Sequence, residues 1–308
     1  MKIVVFGSDH RVGALDGERI VDLNRADSRI PARLDAFIEG GKATLDQAQA
    51  ALGKASGDAV QNATGVQLHA PWPGKRLAMV GGNYADHLAG MNANMGRGGP
   101  TTIEGATKAA REAGHWGFWK VPAEISNPSD DVPFPRHAKY LDYEGEAAIV
   151  IGKRGKNIKA SEIKDYVWGV TLVNDLSIRD PASMPIGRPM SYNLAKNFDG
   201  STPLGPCLVV GELDADNVDV ETKVNGKVRQ KFNSKDMIFK FGEVLEWLSR
   251  DFTFVPGDII SGGTAVGTAA DQSKPGPDGS KPLDLFLKIG DVVEVSSPKI
   301  GTLRHKLV

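Results

Sequence analysis

YLDYEGEAAIVIG, residues 140–152, sets two glutamates, Glu144 and Glu146, at the front of an apolar run that reads as a buried strand. Side chains two apart on a strand point the same way. The pair therefore shares one face, and Gly145 leaves room on the other. Two carboxylates this close repel, so one holds a proton unless a cation binds. Alone, the pair reads equally well as a solvated edge strand. A second stretch changes the balance. WGVTLVND ends another apolar strand in Asp175, with LSIRD directly after it. Three carboxylates at strand ends, without paired histidines or cysteines, form a hard oxygen donor set. Such a set suits Mg²⁺, Mn²⁺ or Ca²⁺ rather than zinc or copper. Three protein ligands leave positions for water and a chelating substrate, the layout of a catalytic metal rather than a closed structural one.

Strands dominate beyond residue 142: EAAIVIG, WGVTLVND, GPCLVVG, VDVETKVNG, DIISGG and DVVEVSS. Asn225-Gly226 in VNGKV predicts a hairpin. FKFGEVLEWLSR, residues 239–250, has the period of an amphipathic helix, and SKPGPDGSKP, residues 273–282, reads as a surface loop. Upstream, RLAMVGGN reads as a strand ending in a glycine turn. GMNANMGRGG, residues 90–99, reads as a mobile loop, and residues 106–114, ATKAAREAG, as a short helix with a glycine stop. Together, residues 90–114 are expected to form a lid.

The first residues, MKIVVFG, RVGALDG and ERIVDLN, read as an antiparallel meander, followed by helical patterns at 30–39 and 44–52. The prolines of APWPG, residues 70–74, forbid helix and central strand, so a linker falls there. The chain divides into a small N-terminal α+β domain, residues 1–72, and a larger domain, residues 73–308. The fold class is α+β and β-rich. The phosphate-cradling patterns GxxxxGK[ST] and GxGxxG are absent.

A formal net charge of −1 over 308 residues gives no general attraction to nucleic acid or to an acidic membrane. The single cysteine, Cys207, excludes an intrachain disulfide, and its apolar setting, CLVV, reads as a buried, inert thiol. The N-terminal apolar run is too short for a signal peptide, and no stretch is long enough to span a bilayer. The expectation is a soluble cytoplasmic protein.

GGNYADH, DYEGEAAIVIGK, VNDLSIRD, KNFDGSTPLGP and ISGGTAVG follow one another in an order and spacing that resembles the fumarylacetoacetate hydrolase family. The resemblance runs from residue 76 onward, with a weaker echo in the N-terminal meander. It implies a mixed β-roll behind a small N-terminal domain, usually in a homodimer whose interface comes from the β-rich part. It implies that Glu144, Glu146 and Asp175 bind a divalent metal, Mg²⁺ or else Mn²⁺ or Ca²⁺. It places Lys196, in AKNFDG, beside the metal and Lys120, in GFWKVP, facing the substrate. Arg179, in SIRD, matches an arginine suited to a carboxylate, and Thr264 matches a substrate contact. His87, in NYADH, matches the general base, while His10, His69, His137 and His305 read as structural.

Two departures from the family pattern bear on activity. A glutamate commonly follows the histidine by three residues, where this chain has Gly90; a glutamine usually follows the arginine by three, where it has Ala182. A replacement carboxylate for His87 is expected from Glu104 or Glu112, with His115 nearby in the same stretch and Asp278 in the late loop as the other possibility. The pocket wall is expected to draw on residues 91–95, Trp116 and Trp119.

The leading expectation is a metal-dependent hydrolase of a C–C bond in a 1,3-diketo acid, an acylpyruvate or a fumarylacetoacetate-like compound, with His87 activating water. The alternative is a decarboxylase of an oxaloacetate-like 2-oxo acid, or an enol–keto isomerase. Those reactions need the enolate stabiliser but no attacking water, and the missing glutamate moves the balance toward them without passing hydrolysis. A metal-binding protein without turnover is the third reading, opposed by the joint presence of ligands, lysines and histidine.

Overall fold

The computed structural model describes residues 1–95, 98–121, 125–180, 192–211, 213–274, 276 and 282–308. The apolar runs assemble there into an eleven-stranded sheet, a five-stranded sheet and a two-stranded ribbon, a mixed, β-rich α+β fold. Gly145–Ile151 lies antiparallel to Val167–Asn174, with Gly145 opposite Asn174. Glu144 and Asp175, one residue beyond that pair, are thereby neighbours, and the Asp175 amide donates to the Glu144 carbonyl at 2.9 Å. On its other side Gly145–Ile151 pairs with Ile259–Ser261, which runs parallel to Leu77–Val80, which in turn pairs with Gly117–Lys120.

All seven residues of Gly145–Ile151 are buried. The reason is a second layer. The five-stranded sheet contains Asp219–Val224 and Val292–Ser297, whose alternating burial presents one face to the core and one to water. Its buried face crosses over Gly145, where Thr222 and Val295 approach the backbone. The two-residue turn at Asn225 and Gly226, with φ of 51° and 75°, forms the expected hairpin.

The N-terminal meander is also present: Lys2–Phe6, Arg11–Asp16 and Arg19–Asp22 pair in succession, all antiparallel. Lys2–Phe6 pairs in addition with Leu204–Val209, so the hydrogen-bonded ladder of the main sheet runs across residue 72. Helices Leu34–Glu39 and Gly41–Leu52 cover this part, burying Phe37, Ile38, Ala48 and Ala51 beside Ile3, Val5 and Val12. The helix expected over 30–39 starts at Leu34 rather than at residue 30. Pro31 accounts for the delay, because the residue before a proline disfavours the helical region.

Residues 85–95 correct the loop expected over 90–99. Helix Ala85–Met95 runs through Gly90. Tyr84, Ala85, Ala89 and Met91 are buried, and this apolar stripe outweighs the weak propensities of glycine and asparagine. The next helix, Ile103–Ala113, is capped by the Thr102 hydroxyl, which accepts from the Gly105 amide, and stops at Gly114 with φ 83°. It too is docked. Ala106 is buried, and Arg111 pairs with Glu243 at 2.6 Å and donates to the Ile238 carbonyl. The two helices that enter the expected lid are thus packed on the body. Among the described residues no helix is long and apolar enough to cross a membrane. Ala182 and Asp278 lie outside the described residues.

Candidate active site

The strand register brings Glu144, Glu146 and Asp175 together, with carboxylate oxygens within 4.8 Å of one another and all three residues buried. Among the described residues, three buried basic side chains surround them. Lys196 Nζ donates to Glu144 Oε2 and, at 2.7 Å, to Asp175 Oδ2. Lys120 Nζ donates to Asp175 Oδ1 at 2.6 Å and to the Ser201 carbonyl at 2.8 Å. Arg179 donates to Glu144 Oε1 through Nη2 and to Asp142 Oδ2 through Nε at 3.1 Å. Sequence reasoning missed Asp142. Its signal was available, since 142, 144 and 146 share the same parity in LDYEGE.

Burial and the neighbouring charges set the protonation of the cluster. Burial raises the Glu146 pKa well above the carboxylate range, and repulsion from Asp175 and Glu144 adds to it. Burial pushes Glu144 the same way, but Lys196 and Arg179 outweigh it and hold Glu144 below its ordinary value. Burial also opposes the charge on Lys196, yet Asp175 and Glu144 on either side raise its pKa. For Lys120 burial wins over Asp175, and its pKa is lowered. The two lysines are therefore pushed in opposite directions.

Glu146 accepts from the Ser261 hydroxyl and, among the described residues, has no ion-pair partner. A buried carboxylate without a cation of its own, beside two others within reach, fits an oxygen-preferring divalent ion. Asn174 supports the set: its Oδ1 accepts from the Glu144 amide at 2.9 Å, and its Nδ2 lies 3.0 Å from His305 Nε2. Burial lowers the His305 pKa to about 3, so it is a neutral acceptor at this position. The Cys207 thiol is buried, and burial pushes its pKa up to about 11.

His87 stands in the first turn of helix Ala85–Met95 and lines the same pocket as Glu144, Glu146, Asp175, Arg179 and Lys196. Its Nδ1 lies 2.8 Å from Asp271 Oδ2, which leaves Nε2 as the ring nitrogen available to a ligand. The partner expected from residues 104–115 is not found there. Glu104 is exposed in the first turn of Ile103–Ala113, and Glu112 is exposed beside Lys108 at 3.9 Å. His115 stacks on Phe239, with ring centroids 4.0 Å apart. Asp271 was missed because it lies 184 residues from His87 in sequence. The only local sign was TAAD, whose Thr268 and Asp271 form the capping box of helix Ala269–Gln272.

Thr264 lines the pocket, donating to the Gly145 carbonyl at 2.9 Å and accepting from Gln230 Nε2 at 2.7 Å. Among the described residues, the apolar wall is Val80, Leu88, Met91, Trp116, Phe118 and Tyr192. Trp119 is not part of it; it packs against Phe252, with centroids 5.0 Å apart. Alternation along Gly117–Lys120 is the cause, because Phe118 and Lys120 point to the site and Trp119 points to the opposite face.

A profile of the fumarylacetoacetate (FAA) hydrolase C-terminal region matches residues 76–308. The mitochondrial oxaloacetate tautomerase FAHD2B of Homo sapiens is 34% identical over 318 aligned residues, which cover 100% of this chain and 92% of that protein. The oxaloacetate tautomerase YisK of Bacillus subtilis (strain 168) is 32% identical over 310 residues, covering 95% and 94%. A solved structure, the fumarylacetoacetate hydrolase from psychrophilic Exiguobacterium antarcticum, aligns with a TM-score of 0.76 at 28% identity, over 100% of this chain and 99% of that one. The β-rich fold, the buried glutamate–glutamate–aspartate cluster, the profile match and the full-length relatives agree: this chain is a member of the fumarylacetoacetate hydrolase family of enzymes.

Proposed function

We propose that the chain interconverts the enol and keto forms of an oxaloacetate-like 2-oxo acid. The observation that carries this reading is the placing of one buried imidazole, His87, in the same pocket as a cationic, metal-fitting cluster. Tautomerisation needs a group that moves a proton at the carbon next to the 2-oxo group, and positive charge where the oxygen becomes an enolate. Hydrolysis needs, in addition, a water aimed at a second carbonyl. The names of the two tautomerase relatives, similar over nearly the whole chain, support giving up the hydrolase expectation for its alternative.

In the keto-to-enol direction His87 Nε2 takes the proton from that carbon. The C–H electron pair becomes the C=C bond, and the carbonyl pair moves onto oxygen, which takes up a proton from water as the enol while His87 releases its own proton to water. In the reverse direction His87 returns its proton to carbon. Lys196 lines the pocket with its charge upheld by Asp175 and Glu144, so it serves as a fixed cation beside the developing negative charge. Arg179 holds Glu144 in place and offers its remaining N–H groups to the substrate carboxylate. Thr264 bounds the pocket beside the carboxylates. Lys120 fixes the Asp175 carboxylate. A divalent cation on Glu144, Glu146 and Asp175, Mg²⁺ or Mn²⁺ matching the oxygen donors best, would polarise the 2-oxo oxygen and offset its charge. The same reading keeps the homodimer implied by the family.

The test is a comparison of rates with Mg²⁺ present. Loss of enol-oxaloacetate absorbance should exceed both pyruvate release from oxaloacetate and acylpyruvate cleavage by at least about tenfold, and His87→Ala should lower it by about 10²–10⁴-fold. Acylpyruvate cleavage faster than enol loss would restore the hydrolase; dominant pyruvate release would establish a decarboxylase.

A further inference from the structure

We infer that the pocket takes a 2-oxo acid whose enolisable carbon carries a planar apolar group, an aryl or conjugated alkenyl substituent, in place of a second carboxylate, and that Trp116 is the residue that selects it. The inference deepens the function proposed above and rests on its reading of the pocket as a 2-oxo acid site.

The pocket is divided by charge. Among the described residues it is lined by one lysine, Lys196, and one arginine, Arg179, and both are buried against the carboxylates. Lys196 already donates to Glu144 and Asp175, and Arg179 to Glu144 and Asp142. The N–H groups they have left serve one substrate carboxylate. A second carboxylate, set against the apolar wall, would leave water without gaining a partner, and that burial is costly.

The wall is a run of aromatic rings that begins at the charged end. The Phe118 ring centroid lies 5.4 Å from Lys196 Nζ. Tyr192 stacks on Phe118, with centroids 4.8 Å and planes 21° apart. Trp116 meets Tyr192 edge-on, at 5.1 Å and 65°. Exposure rises along this run from 3% at Lys196 to 44% at Trp116, so the rings lead from the charged end toward the opening. Leu88 and Met91, three residues apart on helix Ala85–Met95, add aliphatic surface to the same pocket.

Gly81 gives Trp116 its place. A β-carbon on Gly81 would stand 1.4 Å from Trp116 Cζ3 and 2.0 Å from Cε3, so the six-membered ring of the indole lies where a side chain at 81 would begin. Gly81 is outside the left-handed region, and room for the indole, not backbone conformation, calls for a glycine there. The Gly81 amide donates to the Trp116 carbonyl at 3.1 Å, next to the Val80–Gly117 pair that ends the two strands. The indole is thus a fixed apolar surface at the rim. A flat apolar group extending from the 2-oxo acid covers it while the carboxylate meets Lys196 and Arg179.

The experiment measures binding to the intact protein with Mg²⁺ present. It uses three probes with no hydrogen-bearing carbon beside the 2-oxo group: oxalate, which presents only the acid end; N-oxalylglycine, which adds a second carboxylate; and N-phenyloxamate, which adds a flat ring. Calorimetric titration should find N-phenyloxamate at least about tenfold tighter than N-oxalylglycine. Trp116→Ala should weaken N-phenyloxamate at least about tenfold and oxalate less than about threefold. Trp116→Phe keeps a ring and guards against a folding failure of the alanine variant; it should retain a preference of about threefold or more for N-phenyloxamate over N-oxalylglycine. N-oxalylglycine binding as tightly as N-phenyloxamate in the parent protein would overturn the inference. So would an unchanged N-phenyloxamate affinity in Trp116→Ala, or an equal loss of oxalate. In turnover, kcat/KM for ketonisation of enol-phenylpyruvate should exceed that of enol-oxaloacetate by at least about tenfold. The reverse order would overturn the inference and leave the proposed function standing. A preference for N-phenyloxamate that Trp116→Ala abolishes, with neither enol ketonised, would retire the proposed function and leave the selectivity of the pocket standing.

Discussion

Gly145 and Thr222 meet where the two sheets pack on one another: a β-carbon on Gly145 would lie 2.1 Å from Thr222 Oγ1. Val295 Cγ1, at 3.1 Å, closes the other side. The glycine between the two glutamates is therefore a packing requirement of the second sheet. Gly145→Ala should destabilise the fold by about 1–3 kcal/mol, the cost of forcing a methyl into a filled core. The urea midpoint measures this, and an unchanged midpoint would show that the sheets are not in contact there.

The carboxylate cluster makes a separate prediction. Glu146→Gln and Asp175→Asn should each weaken Mg²⁺ or Mn²⁺ binding by more than about tenfold, since even residues that merely support a ligand commonly cost 10–100-fold. Calorimetric titration and the metal-induced rise in melting temperature read it out. Full affinity in both variants would remove the metal from this site.

His305 gives the chain a defined acid sensitivity. Burial holds its pKa near 3 in the fold, against an ordinary 6.5. The unfolded chain therefore binds the extra proton first. The contribution is fully present above about pH 6.5 and is lost as pH falls toward 3, at about 1.4 kcal/mol per unit. Between pH 7 and pH 5 this residue should account for about 2 kcal/mol of lost stability. His305→Gln keeps an acceptor for Asn174 and should flatten that part of the urea-midpoint profile; an equally steep profile would contradict a buried neutral imidazole.

Glu104 and Glu112 should be dispensable. Both project from the outer face of Ile103–Ala113, and Glu112 is occupied with Lys108 in water. Replacing either by glutamine should leave turnover within about twofold, the expectation for exposed helical charges. A tenfold loss in either variant would mean that this helix closes over the site during turnover.

The cluster was legible in the sequence because strand period and motif coincide at Glu144, Glu146 and Asp175, and because short apolar runs bounded by glycine and proline mark strands well. Long-range contacts were not. Asp271 reaches His87 by tertiary packing, and no periodicity within TAADQ points to it. Trp119 was misplaced by a single residue, since on a strand one step exchanges pocket for core. The helix through Gly90 was hidden because its stability comes from the buried Tyr84, Ala85, Ala89 and Met91 rather than from local propensity.

The pairing of Lys2–Phe6 with Leu204–Val209 bears on how the protein can be handled. The first strand is an interior member of the large sheet, and the Met1 ammonium donates to the Val210 carbonyl at 3.0 Å. Cutting the chain at the proline-rich linker to obtain residues 73–308 alone would strip a row of amides and carbonyls from Leu204–Val209. Such a bared ladder recruits strands from other molecules. The trimmed fragment should leave solution as aggregate, and crystallisation or display formats are better built on the intact N-terminus.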